Sequence, residues 1–202
     1  MHTSIKNLLL LFTLAILANG CASVISPHVN ESDFLTSDAK STGMVQLYAS
    51  EKFRNHTEII TNVIDVKKWK YELGSLAVDN FKYSLMSRFT YVDVKFWQPN
   101  FPISETYNNE IFIAIEPSFV SFNANYPLIF KNETFIVKVL LRVKAYNRNG
   151  DQLFDNIYQG NGEKKGNTGF ESAGYAPNPD AVQLAMRDAV NKAVDDILEI
   201  AK

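Results

Sequence analysis

Hydrophobic residues fall along this chain in three rhythms. The first is a continuous block from Leu8 to Ala18, broken only by Thr13, that ends at Asn19-Gly20-Cys21. The second is alternation. Met44-Val-Gln-Leu-Tyr-Ala-Ser50 and Tyr91-Val-Asp-Val-Lys-Phe-Trp97 read as strands. A longer strand pattern runs from Glu110 to about Phe122, bent or broken at Pro117 because proline donates no ladder hydrogen bond. The third rhythm repeats every fourth position: Trp69, Leu73, Ala77, Phe81, Leu85 and Phe89, with Leu76 beside them. That stripe predicts a helix over 68–89, with Gly74 inside it. Residues 57–66, TEIITNVIDV, are β-branched and fit no single rhythm.

The clearest local signal is Asn149-Gly150, the dipeptide of tight hairpin turns. Taken as a two-residue turn, it pairs Arg148 with Asp151, Tyr146 with Leu153, Lys144 with Asp155 and Arg142 with Ile157. One face then carries Phe135, Val137, Val139, Leu141, Val143 and Ala145, and the other Lys138, Arg142 and Lys144. The same register puts Asn156 on the core face, which requires a bulge or a buried amide. The chain closes with Asn178-Pro179-Asp180 and a second helix that has Val182, Met186, Ala189, Val190, Ala193, Val194, Ile197 and Ile200 on one side. Proline and an acidic residue both suit a first helical turn. Two amphipathic helices on one face of an antiparallel or mixed sheet give an α+β fold of two layers.

The first rhythm concerns location. A short basic start with Lys6, eleven residues of apolar core and a small-residue exit match a secretory signal peptide over residues 1–20. A spanning helix needs roughly 20 apolar residues, and this block is shorter. Leu17-Ala18-Asn19-Gly20-Cys21 resembles the lipobox of bacterial lipoproteins. That resemblance implies a diacylglyceryl thioether on Cys21 and an acyl amide on its new N-terminus. Gly20 matches the family pattern, while Ala18 and Asn19 stand where leucine and a small residue are commoner. Ala22, with no Asp after the cysteine, resembles lipoproteins forwarded to the outer membrane. The alternative is an ordinary signal-peptidase site and a soluble protein starting at Cys21. An unpaired thiol in an oxidising compartment weighs against it. Residues 22–43 lack periodicity and are polar, so residues 21–43 read as a lipidated cysteine with a flexible tether and residues 44–202 as a single domain.

Composition removes several function classes. With Lys6 gone, 19 basic residues stand against 22 acidic ones, which leaves no basic field for nucleic acid. Cys21 is committed, and His28 and His56 are the histidines that remain, so neither a nucleophile with a histidine base nor a zinc set is assembled. The chain is read as a non-enzyme with no catalytic or metal site and no cofactor. Gly160, Gly162, Gly166, Gly169 and Gly174 follow a strand and precede a helix, but GxxxxGK[ST] is absent and the segment reads as a connection. The aromatics Phe96, Trp97, Phe101 and Tyr107, and Phe119, Phe122, Tyr126 and Phe130, either fill the core or form a rim for a partner. Trp97, Phe101, Tyr107, Phe122, Tyr126 and Phe130 are the candidate partner-binding residues.

The order of lipobox, polar tether, strand, helix, strands and an Ala-rich C-terminal helix, DAVQLAMRDAVNKAVDDIL, resembles small Gram-negative envelope lipoproteins of the YajG family. The segment from GEKKGNTG into DAVQLAMRDAV is similar to the α/β domain shared by the TolB N-terminal region, curli-secretion-type lipoproteins and lipoprotein activators of penicillin-binding proteins. The resemblance spans the pattern of about 150 residues, and architecture licenses fold better than function. It implies a non-catalytic protein held in the outer membrane by lipid on Cys21, facing the periplasm and binding an envelope protein through loops or a strand edge. Two other functions remain open: a small-ligand or lipid carrier with a pocket lined by Phe81, Leu85, Val139 and Leu141, and a subunit of a secretion pore, which would form a stable oligomer.

Overall fold

The computed structural model describes residues 22–34, 40–61, 68–103, 112–125, 134–165 and 178–201. Their strands are β1 (Ser23–Ile25), β2 (Ser41–Tyr48), β3 (Glu58–Thr61), β4 (Lys68–Tyr71), β5 (Phe89–Lys95), β6 (Phe112–Asn125), β7 (Thr134–Tyr146) and β8 (Gln152–Lys165). The helices are α1 (Glu51–Arg54), α2 (Leu73–Arg88) and α3 (Pro179–Ile200), with a 3-10 turn at Glu31–Phe34. A five-stranded sheet has the order β5-β2-β6-β7-β8 and a three-stranded one the order β1-β4-β3. In the larger sheet β2 runs parallel to β5 and β6, and β6, β7 and β8 are antiparallel. The fold is α+β with a mixed sheet, as the patterns imply.

Helices α2 and α3 cover one face of the larger sheet and close a continuous core. Phe81, Leu85, Val139 and Leu141 lie fully buried inside it. The pocket expected between these four residues is therefore filled by the residues themselves, packed at the density of protein interiors. Three polar contacts link the helices: Asn80 to Gln183, Ser84 to Asn191, and Arg88 to Asp195. The α2 members lie four residues apart and their partners advance with them, so the helices run in the same direction.

On the other face, a smaller cluster of Met44, Tyr48, Ile103, Phe112 and Ala114 is capped by Phe101, whose ring lies 5.1 Å from that of Tyr146. Strand β2 is consequently buried on both faces from Met44 to Tyr48, the situation of a central strand with parallel neighbours. Buried Gln46 accepts a hydrogen bond from the Tyr48 hydroxyl at 2.5 Å.

The helix expected over 68–89 is shorter at both ends. Trp69 belongs to β4 and Phe89 to β5. A repeat of four fits a strand period of two as well as a helical one, and pairing of β4 with β1 and β3 decides the matter. Gly74 sits at the helix start, where a Cβ would come within 2.7 Å of the Arg54 carbonyl. Ile200, expected on the apolar side of the last helix, is exposed.

The hairpin differs from a two-residue turn. The Asn147 N–H donates to the Asp151 carbonyl at 2.9 Å, and Gly150 adopts φ 95°, so three residues form the loop. A bulge beside Ala145 and Tyr146 then restores the expected pairs Lys144–Asp155 and Arg142–Ile157. The Asp155 carboxylate is taken by Arg142, with two hydrogen bonds of 2.7 Å. Asn156 pairs with Val143 at an exposed position of the core-facing row, its amide 3.4 Å from the Tyr158 hydroxyl. In β6 the ladder shifts between Pro117 and Phe119, where the break was expected.

The segment expected as a flexible tether is folded where described. Residues Ser23–Ile25 pair with Trp69–Tyr71, and the Ser26 hydroxyl donates to Glu72 at 2.8 Å. Buried Phe34 stacks on Tyr83, and Asp33 pairs with Arg187 of α3 at 2.9 Å. Ile25 and Val29 pack against the core and Phe34 against Tyr83, which brings this strap onto the domain without any periodic signal.

Candidate functional site

A sheet that does not close has two edges, and here they differ. At the β8 edge, α3 supplies side chains to the strand backbone. The Lys192 ammonium donates to the Gln159 carbonyl at 2.8 Å, and the Asp188 carboxylate accepts from the Asn161 N–H at 2.9 Å. Lys192 and Asp188 also pair with each other at 2.8 Å. Charged side chains that occupy edge groups are a common protection against unwanted strand pairing.

Strand β5 is the other edge, hydrogen-bonded to β2 on one side and to no other strand among the described residues. Tyr91 on this strand is exposed, and Phe96 and Trp97 directly after it are exposed by 49 % and 56 %. Both rings carry a cation: the Arg54 guanidinium lies 4.4 Å from the Phe96 centroid and the Lys95 ammonium 5.4 Å from that of Trp97. Lys95 is held in turn by Asp93 at 2.8 Å.

Beside this edge, α1, α2 and β5 enclose an open cleft of about 390 Å³ whose walls include Arg54, Ser75, Asp79, Lys82, Val94 and Phe96. The local fold explains the set. Ser50 caps α1, its hydroxyl accepting from the Phe53 N–H at 3.2 Å, and buried Phe53 turns Arg54 toward β5. Asp79 and Lys82 lie on the outward side of α2, opposite the Leu76, Ala77 and Phe81 stripe. Burial pushes the Asp79 carboxyl above the usual carboxylate range, and the neighbouring Lys82 charge partly offsets this. Among the described residues the buried Arg54 Nε has no hydrogen-bond partner; the same holds for the buried His56 Nε2, which lies outside the cleft lining with Glu58 4.0 Å away. A cleft with the unpaired Arg54 Nε, two cations, one carboxyl and the Phe96 ring beside a strand edge is equipped to hold an extended peptide. No group of three or more His, Cys, Asp or Glu able to hold a metal occurs among the described residues.

The expected partner-binding residues separate. Trp97 is exposed two residues beyond the end of β5. Phe101, partly buried, instead covers the far side of the sheet and packs under the hairpin, where a Cβ on Gly150 would come within 2.8 Å of its ring. The backbone of Phe122 pairs with Val139 in the sheet. Cys21, Tyr107, Tyr126 and Phe130 lie outside the described residues, as does the signal-peptide segment. Arg54, Asp79 and Lys82 were not singled out from the sequence, since they come from different elements and show no shared spacing. Gly160 and Gly162, read as part of a connection, belong to β8. No described helix is long and apolar enough to cross a membrane.

No family model matches the chain, and no curated protein matches it. Among solved structures, the chain is similar to a protein of family DUF330 from Xanthomonas campestris at 9 % identity, with 87 % of this chain and 92 % of that one covered and a TM-score of 0.43. It is similar to a candidate lipoprotein from Caulobacter crescentus at 12 % identity, with 63 % and 80 % covered and a TM-score of 0.34. A lipoprotein from Neisseria meningitidis is similar at 12 % identity, with 78 % and 99 % covered and a TM-score of 0.29. At these identities and scores the likenesses assign neither a family nor a function.

Proposed function

We propose that this chain is a non-catalytic lipoprotein of the Gram-negative envelope, anchored in the outer membrane through acylated Cys21, that binds a protein partner along the outer edge of β5. The observation that carries the binding reading is the asymmetry of the two edges: α3 side chains engage the β8 backbone, while β5, unpaired on its outer side among the described residues, is followed by exposed Phe96 and Trp97 beside the cleft walled by Arg54, Asp79 and Lys82. An added strand would gain main-chain hydrogen bonds, and the cleft would select its side chains. Acylation supports the reading in a second way, because a tethered partner is met at raised local concentration. The anchor follows from Leu17-Ala18-Asn19-Gly20-Cys21, since two or more acyl chains hold a protein stably on a bilayer.

The test is a photo-crosslinking amino acid placed at Tyr91 or Trp97 of the full chain in a Gram-negative host. A single envelope protein captured from both positions, and absent when the probe replaces Ile157 on β8, is the expected result. Equal capture from all three positions, or none from the β5 pair, overturns the edge reading. Intact mass of the wild type beside Cys21→Ala reads the anchor separately. The lipid mass and membrane retention belong to the wild type alone.

A further inference from the structure

The three-stranded sheet turns one face to the core and one away from it. Trp69 and Tyr71 of β4 are buried, so strand alternation sends Lys68 and Lys70 outward. The registers Val24–Lys70 and Ile59–Lys70 place Val24, Lys70 and Ile59 in one row across the sheet. Val24 is 57 % and Ile59 60 % exposed. Glu58 is paired with Tyr71 and so belongs to the opposite, core-side row. The outward row combines two large aliphatic side chains with an amine between them.

We propose that this face lies on the phospholipid leaflet that holds the anchor. The inference rests on acylation of Cys21 and adds an orientation to it. Cys21 precedes Ser23 by two residues, which span at most about 7 Å when extended. Ser23 is not free to swing, because it pairs with Trp69, and the strap after it is held by Ser26–Glu72 and Asp33–Arg187. Lipid on Cys21 therefore starts within a headgroup's thickness of β1, and the domain has no slack with which to stand away. The chemistry of the face suits that position. Aliphatic side chains enter the boundary between headgroups and acyl chains, while Lys68 and Lys70 extend their ammonium groups to lipid phosphates.

The experiment uses the acylated full chain in vesicles of phosphatidylethanolamine and phosphatidylglycerol, with nitroxide labels on Val24→Cys, Ile59→Cys or, as a control, Ile157→Cys. Cys21 is blocked by its thioether, so one thiol is labelled in each variant. The expected result is a severalfold higher ratio of oxygen to nickel-chelate accessibility at 24 and 59 than at 157. Lys68→Glu with Lys70→Glu should lower that ratio at 59, with the circular dichroism spectrum unchanged. Labels at 24 and 59 as aqueous as the label at 157, in a protein whose mass carries lipid, overturn the orientation and leave the anchor standing. Shielding from both reagents indicates a protein cover and overturns it as well. A mass without lipid removes the anchor, and the orientation falls with it.

Discussion

The side-chain amides of Asn80 and Gln183 face each other across the α2–α3 contact and exchange two hydrogen bonds, of 3.1 and 3.2 Å. Both residues are buried, and the Asn80 amide nitrogen also donates to the Leu76 carbonyl at 2.8 Å. An amide pair of this kind satisfies itself only in one register of the two helices. Asn80→Leu leaves the Gln183 amide unpaired in the core and is expected to cost about 1–3 kcal/mol in urea unfolding. Asn80→Leu combined with Gln183→Leu is expected to cost less than the two single changes together. Additive losses would show that the pair is not coupled.

Gly160 and Gly162 have a packing role. A Cβ on Gly160 would come within 2.6 Å of the Ala189 nitrogen, and one on Gly162 within 2.6 Å of the Ala185 nitrogen. Ala181, Ala185 and Ala189 form the matching small-residue stripe of α3. Gly160→Ala or Gly162→Ala must push helix and strand apart, at about 1–3 kcal/mol. The denaturation midpoint should fall for both variants and stay near the wild-type value for exposed Gln159→Ala.

Tyr158 ties β8 to α3 by donating to Asp196 at 2.8 Å. Burial, reinforced by Asp196, pushes its hydroxyl above the ordinary value of 10.0. The unfolded chain therefore loses this proton first, and stability that is complete below pH 10.0 declines as the pH rises further. Tyr158→Phe should flatten the loss of stability between pH 10 and 11 and cost about 1 kcal/mol at neutral pH, where the hydrogen bond is missed. An unchanged alkaline slope in equilibrium unfolding would exclude this residue as its source.

The start of α3 depends on Asn178, whose side-chain oxygen accepts from the Asp180 N–H at 2.9 Å, with Pro179 in the first turn. Asn178→Ala should lower stability by about 1 kcal/mol, and Asn178→Asp should retain most of it. Thermal unfolding of the two variants side by side reads the difference.

Removing binding groups at β5 should spare the fold. Trp97 is largely exposed, so Trp97→Ala should shift unfolding by no more than about 0.5 kcal/mol. The same change is expected to lower crosslinking from a probe at Tyr91 severalfold. Retained crosslinking would move the partner contact away from the ring.

Elements governed by neighbouring residues were determined by the sequence itself. Asn178-Pro179-Asp180 starts α3 because capping involves groups two or three positions apart. Asn149-Gly150 marks the hairpin because a positive φ is a property of the turn residue, and Pro117 marks the break in β6 because it carries no N–H. The resemblance of Leu17–Cys21 to a lipobox is equally local. Pairings between distant segments were decided by the tertiary structure alone. Trp69 satisfied helical and strand spacing alike until β1 and β3 paired with β4, and residues 22–34 became a strap because Phe34 found Tyr83 and Asp33 found Arg187. The cleft follows the same rule: Arg54 meets Phe96 only because α1 and β5 pack side by side. Local backbone preferences are written residue by residue, whereas burial and pairing are properties of surfaces that exist only once the chain has folded.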